Sequence, residues 1–161
     1  MRKKRPVTRR RTTRKAGPTR SMLAAMGALA REARERAQAH YSRFKVGAAL
    51  KTRTGEIVTG CNIENASYGL TMCAERVAVF KAVSEGLHDF DAIAVVADSK
   101  RLTPPCGPCR QILWEYCGDL LVHMVDMKGR SRTMRLRELL PMPFDGAFLG
   151  TSTRRVPRKP G

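Results

Sequence analysis

The sequence predicts an α/β domain of three layers, α-β-α, with a mixed sheet of about five strands between two layers of helices. Three observations lead to this prediction: an amphipathic helical pattern, then a pair of short strand-like segments around a Gly turn, then an alternation of helical and apolar strand-like segments. The chain of 161 residues is long enough for one domain with a substantial core. We expect that domain to span residues 21–150.

The first predicted elements are a helix and a hairpin. Apolar residues from Met22 onward recur at helical spacing, which predicts a helix that ends near His40. Residues 46–50 and 56–61 are predicted strands, with Thr54-Gly55 at the turn between them. The hairpin is therefore expected to follow the first helix directly.

The remaining elements alternate between helix and strand. Residues 73–85 predict a helix stopped by Gly86; it is apolar on nearly every side, which indicates burial. Residues 92–97 (AIAVVA) form the continuous apolar run of a strand that is covered on both faces. A short helix with Pro near its start, another strand and a final helical turn are predicted at residues 108–116, 121–125 and 136–140.

The formal net charge of +17 is concentrated at the two ends of the chain. Residues 1–20 contain ten Lys or Arg, residues 151–161 contain four, and neither segment contains an acid. The domain between them has 17 basic and 14 acidic residues, so its charge does not indicate a nucleic-acid groove. We interpret residues 1–20 as a disordered basic tail and residues 151–161 as a second one. A solvated extension, an upstream start codon, phosphate binding and organelle targeting are the alternatives.

Cysteine usage indicates a reducing compartment. The five cysteines are odd in number and unevenly spaced, which favours metal ligands or buried thiols over a disulfide framework. No apolar run is long enough for a membrane span, and no secretory signal is recognised. We expect a cytoplasmic protein that does not contact a membrane.

Two short motifs predict a zinc site. Cys73-Ala74-Glu75 is followed by Pro105-Cys106-Gly107-Pro108-Cys109, and no second C-x-x-C exists to complete a four-thiolate site. Cys73, Cys106 and Cys109 are thus expected to bind one Zn²⁺ and leave one position open, as in catalytic zinc sites. All three lie at predicted helix starts, where the helix dipole favours thiolate. Arg76 and Arg110 are placed to donate hydrogen bonds to the sulfurs.

Glu75 follows the first cysteine by two residues and lies in the first turn of a helix. Side chains there tilt toward the helix N-terminus, so its carboxylate is expected near the metal, where it acts as a base on water. The alternative makes Glu75 a fourth ligand in a purely structural site.

Five segments occur in a fixed order along the chain: YSRFKVGAAL (41–50), CNIENASY (61–68), CAER (73–76), PCGPCRQ (105–111) and LLP (139–141). Through these segments the chain resembles, over residues 22–144, the small three-cysteine cytidine deaminases that act on free nucleosides. The resemblance implies a zinc-dependent hydrolysis of cytidine and deoxycytidine to uridine and deoxyuridine. Ammonia is released, Glu75 moves the protons, and the reaction belongs to pyrimidine salvage. After Phe144 the family often continues Gly-Pro, whereas this chain has Asp145-Gly146-Ala147.

The resemblance also implies roles for substrate-binding residues. Phe44 corresponds to an aromatic residue that packs against the base, and Asn62 and Glu64 to a pair that hydrogen-bonds the ribose 3′-hydroxyl. The family is commonly a homotetramer, in which Ala66 and Tyr68 reach a neighbouring site. Phe144 either does the same or packs in the core. The same comparison places Arg76 and Gln111 around the metal ligands.

Three alternative functions remain open at this stage. The first is the same reaction on another substrate, such as blasticidin S, because blasticidin S deaminases share the zinc motif. A nucleic-acid-binding zinc module that uses the basic tails predicts four protein ligands and steeply salt-dependent binding. A polynucleotide-editing deaminase combines both features, although the domain shows no basic, aromatic-lined groove for single strands.

Overall fold

The computed structural model describes residues 17–150. Within them the helices are α1 (Arg20–Glu35), α2 (Ala74–Ser84), α3 (Gly107–Cys117) and α4 (Leu136–Leu139). The strands are β1 (Val46–Thr52), β2 (Ile57–Cys61), β3 (Phe90–Ala97), β4 (Leu121–Asp126) and β5 (Ser131–Arg135). Two short 3₁₀ helices lie at Tyr68–Leu70 and Gly146–Leu149.

The five strands form one mixed sheet in the order β2-β1-β3-β4-β5. β1 pairs antiparallel with β2 and β3, β3 pairs parallel with β4, and β4 pairs antiparallel with β5. The parallel pair requires a crossover, which α3 supplies. The three-layer mixed α/β prediction is therefore confirmed.

Each face of the sheet has its own apolar core. On one face α1 packs through Met26 and Ala30 against small strand residues such as Ala49 and Ala94. On the other face α2 and α3 cover a larger cluster that includes Leu50, Ile93, Leu113 and Val122. α2 and α3 share this face with their N-termini close together, and both predicted zinc motifs lie at these N-termini.

The first helix ends earlier than its apolar pattern predicts. α1 stops at Glu35 rather than near His40, because the chain then pairs with residues 62–64. The Gln38 amide donates to the Asn62 carbonyl oxygen, and the Gln38 carbonyl oxygen accepts from the amide of Glu64. Ala37 is buried although α1 ends before it.

Two further elements differ from the sequence prediction. β5 has no predicted counterpart because its residues are exposed at the sheet edge, so no apolar alternation marks it. α2 buries one side only: Ala74, Ala78 and Ala82 are buried, while Phe80 is 37% exposed. The predicted burial of α2 is therefore observed on one side of the helix only.

The tails contribute little to the described part of the chain. Of the predicted N-terminal tail only residues 17–20 are described, and there Thr19 caps α1 by accepting from the Met22 amide. The remainder of that tail and residues 151–161 lie outside the described residues. Among the helices of the described residues, none has the length and apolar character that crossing a membrane requires.

Candidate metal centre and active site

The three predicted metal ligands meet between the N-termini of α2 and α3. Cys73 is the N-cap of α2, Cys106 is the N-cap of α3, and Cys109 lies in the first turn of α3. Their sulfur atoms lie within 4.8 Å of one another, and the Sγ atoms of Cys73 and Cys106 are 3.8 Å apart. Two helix starts thus bring three thiols to one point.

The donor set fits a zinc ion. With Zn–S bonds of about 2.3 Å, a tetrahedral site places its sulfurs about 3.8 Å apart, which agrees with the Cys73–Cys106 separation. All three cysteines are free, and 3.8 Å is far beyond a disulfide bond. Three protein ligands leave the fourth position for water or substrate, as in catalytic zinc sites.

The cluster favours negative charge on the Cys73 sulfur. A hydrogen bond from the Cys109 thiol lowers the pKa of Cys73 to about 5, and Arg76 adds to this effect. The same shared proton raises the pKa of Cys109. Cys73 also caps α2, where the positive end of the helix dipole stabilises a thiolate.

The two predicted arginines have different partners. Nη2 of Arg76 donates to the Cys73 sulfur at 3.6 Å and to the Thr71 carbonyl oxygen at 2.8 Å. Arg110 was expected at the sulfurs, but it donates to the carbonyl oxygens of Pro105 and Leu139. That expectation was wrong. The guanidinium of Arg110 bonds instead to one carbonyl just before α3 and to one at the last residue of α4. Arg110 thereby ties α3 to α4.

Gln111 connects α3 to the C-terminal segment. Its Nε2 donates to the Phe144 carbonyl oxygen at 2.5 Å, and Trp114, one turn further on, donates to Asp145 Oδ2 at 3.4 Å. The Phe144 ring is 58% exposed and stacks on Phe148, with centroids 5.4 Å apart. In the single chain Phe144 is therefore not a core residue.

Glu75 is a buried carboxylate beside the cluster. It occupies the first turn of α2 and is 4% exposed. Burial raises the pKa of Glu75 to about 7, and the negative charge of Cys73 adds to the rise. A carboxyl group with a pKa near neutrality can both accept and release a proton, as a general acid–base catalyst must.

Asn62 holds the chain around Phe44. Its Oδ1 accepts from the Val46 amide at 2.8 Å, and its Nδ2 donates to the Phe44 carbonyl oxygen at 2.9 Å. The amide keeps one further lone pair and one further hydrogen for a ligand. Asn62 is buried, whereas the Phe44 ring is 38% exposed. The contact of Asn62 with the ribose stays a prediction, and the observed contacts of Asn62 fix the start of β1.

Glu64 holds the turn that precedes Phe44. Its Oε2 accepts from the amides of Tyr41 at 2.8 Å and Ser42 at 3.1 Å, and its Oε1 accepts from the Ser42 hydroxyl. The bond from the Ser42 side chain holds the pKa of Glu64 below its usual range. The same hydroxyl accepts from the Phe44 amide, and Arg43 between them has a left-handed backbone with φ of 56°.

A cavity of about 220 Å³ opens at this turn. It is lined by Tyr41, Ser42, Glu64, Tyr68 and Thr71, and the rings of Tyr41 and Tyr68 meet edge to face with centroids 6.1 Å apart. Phe44, Asn62 and Ala66 are not among its lining residues. Thr71 connects the cavity to the cysteine cluster because its carbonyl oxygen accepts from Arg76.

Ser42 and Thr71 were not singled out from the sequence. Ser42 lies two residues before Phe44, which was singled out, so a polar residue near a candidate ring was the available signal. Thr71 contributes through its carbonyl, which no side-chain pattern reports.

The fold and the site together define a class of protein. An open three-cysteine zinc site beside a buried carboxylate, on a three-layer α/β domain, is typical of a zinc-dependent hydrolase. Residues 21–124 match the family described as the cytidine and deoxycytidylate deaminase zinc-binding region. The chain belongs to this family.

Several known proteins similar to this chain are named as deaminases. It is 55% identical over 114 residues to the cytidine deaminase of Halalkalibacterium halodurans, covering 70% of this chain and 86% of that protein. A crystal structure of cytidine deaminase from Burkholderia pseudomallei shares 46% identity with a TM-score of 0.72, covering 75% of this chain and 98% of that one. The blasticidin-S deaminase of Bacillus cereus is 36% identical over 111 residues, covering 64% and 79%.

Proposed function

We propose that this protein is a zinc-dependent cytidine deaminase that hydrolyses cytidine and deoxycytidine to uridine, deoxyuridine and ammonia. The observation that carries the proposal is the open three-cysteine cluster with the buried Glu75 carboxylate beside it. Similarity to named cytidine deaminases supports the substrate. A purely structural site with Glu75 as fourth ligand is less favoured, because its carboxylate is not part of the metal-binding group.

The reaction adds water across the N3=C4 bond of cytosine and expels the C4 amino group. Cys73, Cys106 and Cys109 would hold the zinc ion, which would lower the pKa of a water molecule to near neutrality. Glu75 accepts a proton from the attacking water molecule and passes it to N3, while the water oxygen bonds to C4. Glu75 then carries the remaining hydroxyl proton to the amino nitrogen, the C4–N bond breaks, and ammonia leaves.

The environment of Glu75 suits both transfers. Its burial keeps competing water away, and a pKa of about 7 lets it alternate between carboxylate and acid near neutral pH. Its place in the first turn of α2 ties it to Cys73 through two peptide units. The proton carrier and a metal ligand therefore move as one unit.

Substrate binding is assigned to the turn around Phe44. In this proposal the Phe44 ring packs against the base, and Asn62 and Glu64 bind the ribose 3′-hydroxyl. The exposed Phe44 ring supports the contact to the base. The position of Glu64 in the lining of the cavity supports the contact to the ribose. A contact to the 3′-hydroxyl does not involve the 2′ position, so both cytidine and deoxycytidine are expected substrates.

Ser42 offers a direct test of the substrate assignment. Replacing Ser42 with Ala removes the hydroxyl that joins Glu64 to the Phe44 amide, so the KM for cytidine is expected to rise about threefold to tenfold. Zinc content should not change, because Ser42 is outside the cluster. Ser42→Thr keeps the hydroxyl and serves as the control, with a KM near that of the wild type. A wild-type KM in Ser42→Ala contradicts the assignment.

We further propose a homotetramer in which Tyr68 and Phe144 complete neighbouring sites. Tyr68 is 74% exposed, and Phe80 of α2 and Tyr116 of α3 form an exposed edge-to-face pair with centroids 6.2 Å apart. Exposed aromatic side chains on an apolar helix support association with further copies. Sedimentation equilibrium is expected to give a mass of about four chains, and a monomer at micromolar concentration would refute this assembly.

The substrate is tested by measuring ammonia release. Cytidine and deoxycytidine are expected to be turned over, whereas blasticidin S and a cytosine-containing oligonucleotide are expected to react far more slowly. The same rates are expected after deletion of residues 1–16, since α1 begins at Arg20. If the oligonucleotide is the better substrate, the polynucleotide-editing alternative replaces this proposal. If the deletion abolishes cytidine turnover, the N-terminal tail contributes to the activity.

A cytoplasmic location completes the proposal. The five cysteines are all free, including the exposed Cys106, which is consistent with a reducing compartment. Thiolate ligands also require protection from oxidation.

A further inference from the structure

Gly60 lies in β2 at a point where α2 leaves no space for a side chain. A β-carbon at residue 60 would lie 2.5 Å from the carbonyl oxygen of Ala74 and 2.6 Å from the amide nitrogen of Ala78. Ordinary contacts are about 3.5 Å, so helix and strand would have to separate by roughly 1 Å. Gly60 is not among the glycines with positive φ, so the close approach, and not the backbone conformation, requires glycine here.

The two crowded atoms belong to the first turn of α2. In an α-helix the amide of residue 78 bonds the carbonyl of residue 74, so a β-carbon at Gly60 would press on the bond that closes this turn. The same turn begins at Cys73 and carries Glu75. Pressure on it therefore acts on a metal ligand and on the proton carrier together.

We infer that Gly60 is a positioning residue of the active site: the missing side chain sets how deeply the first turn of α2 seats on the sheet, and thereby places Cys73 and Glu75. Cys106 and Cys109 come from α3, which does not share this contact. A shift of α2 alone would change the 3.8 Å separation of Cys73 and Cys106. Metal and catalytic constellations tolerate displacements of only about 0.5 Å. The inference rests on the proposed function for the role of Glu75, and on the cysteine cluster for the rest.

A second glycine on the opposite face provides a matched control. Gly47 in β1 pairs with Cys61, one position from Gly60 in register. A β-carbon at Gly47 would lie 1.9 Å from the Ala30 carbonyl oxygen and 2.6 Å from the Arg34 amide nitrogen, both in α1. α1 carries no cysteine, so Gly47→Ala crowds a helix against the sheet without displacing the cluster.

The test compares Gly60→Ala with Gly47→Ala in the full-length protein. Three quantities are measured: zinc affinity by chelator competition, the absorption bands of the Co²⁺-substituted protein, and kcat and KM for cytidine. Gly60→Ala is expected to weaken zinc binding at least about tenfold, to shift the Co²⁺ bands and to lower kcat at least about tenfold, with KM less affected. Gly47→Ala is expected to lose thermal stability but to keep wild-type zinc affinity and Co²⁺ bands.

Two outcomes overturn the inference. One is a Gly60→Ala protein with wild-type zinc affinity, Co²⁺ bands and kcat; the other is equal loss of zinc affinity in both glycine variants, which marks general destabilisation. If Gly60→Ala does not fold, Ala78→Ser adds one atom to a fully buried residue whose backbone amide lies at this contact. Ala78→Ser is expected to show smaller losses of zinc affinity and kcat in the same direction. Wild-type zinc affinity, Co²⁺ bands and kcat in this variant overturn the inference. A wild-type protein that binds zinc but does not turn over cytidine refutes the proposed function. In that case the zinc affinity and the Co²⁺ bands of the glycine variants still test the positioning role of Gly60.

Discussion

Replacing Glu75 with Gln is expected to abolish almost all turnover while zinc stays bound. The amide matches the carboxylate in shape but cannot carry a proton, so both transfers to the base lose their carrier. General acid–base catalysis contributes about 10²- to 10⁴-fold, and we expect kcat for cytidine to fall by that factor. The measurement is steady-state ammonia release, together with the zinc content of the purified protein.

The fold is expected to accept this substitution. Burial raises the pKa of Glu75, which means that the site disfavours a charged side chain there, and an uncharged amide removes that penalty. The melting temperature of Glu75→Gln should therefore equal or exceed that of the wild type. Functional groups held at a cost to stability are common in active sites.

A matched substitution at the other end of α2 isolates the effect of position. Glu85 is the C-cap residue of the same helix and is exposed, so Glu85→Gln makes the same chemical change away from the cluster. It should leave kcat and zinc content unchanged. Near-normal turnover in Glu75→Gln would exclude the proton-carrier mechanism, and loss of zinc in that variant would instead make Glu75 a ligand.

The metal cluster could be predicted from sequence because its determinants are local. Cys73 and Cys106 each precede a helix that short-range patterns predict, and capping geometry then points the first turn toward one place. Thiolate coordination uses few residue types, so three cysteines with one position left open already indicate catalytic zinc. The layer arrangement followed in the same way from apolar periodicity.

The contacts that depend on distant pairing could not be predicted. The end of α1 is set by the pairing of Gln38 with residues 62–64, which no pattern within the helix reports. The partners of Arg110 come from the segments before α3 and at the end of α4. Asn62 was predicted from resemblance as a ribose ligand, and its role in fixing Phe44 and Val46 emerged only from the fold.

Gly60 illustrates the same limit in packing. From the sequence alone, a glycine in a strand predicts a less stable strand or a β-bulge. Its position against the first turn of α2 appears only once helix and strand are placed together. The sequence therefore identifies the groups that do the chemistry more readily than the residues that hold them in place.

Replacing Cys109 with Ser is expected to remove the metal and, with it, the activity. Cys109 is fully buried, and its sulfur is one of three that meet within 4.8 Å. A serine hydroxyl is not a usual zinc ligand in proteins, and two remaining thiolates do not make the three-ligand site of a catalytic zinc. Zinc is expected to fall from about one ion per chain to near zero, measured by chelator release and absorption, and added zinc should not restore turnover.

Cys117 allows the loss of a ligand to be separated from the loss of a buried thiol. It lies at the other end of α3, is 8% exposed, and burial raises its pKa to about 12, so it remains a neutral thiol. Cys117→Ser should lower the melting temperature, because a hydroxyl is buried there, and leave zinc content and kcat unchanged. Full zinc occupancy in Cys109→Ser would contradict the three-cysteine site. If both variants lost zinc equally, Cys109 would be needed for the stability of α3 and not as a ligand.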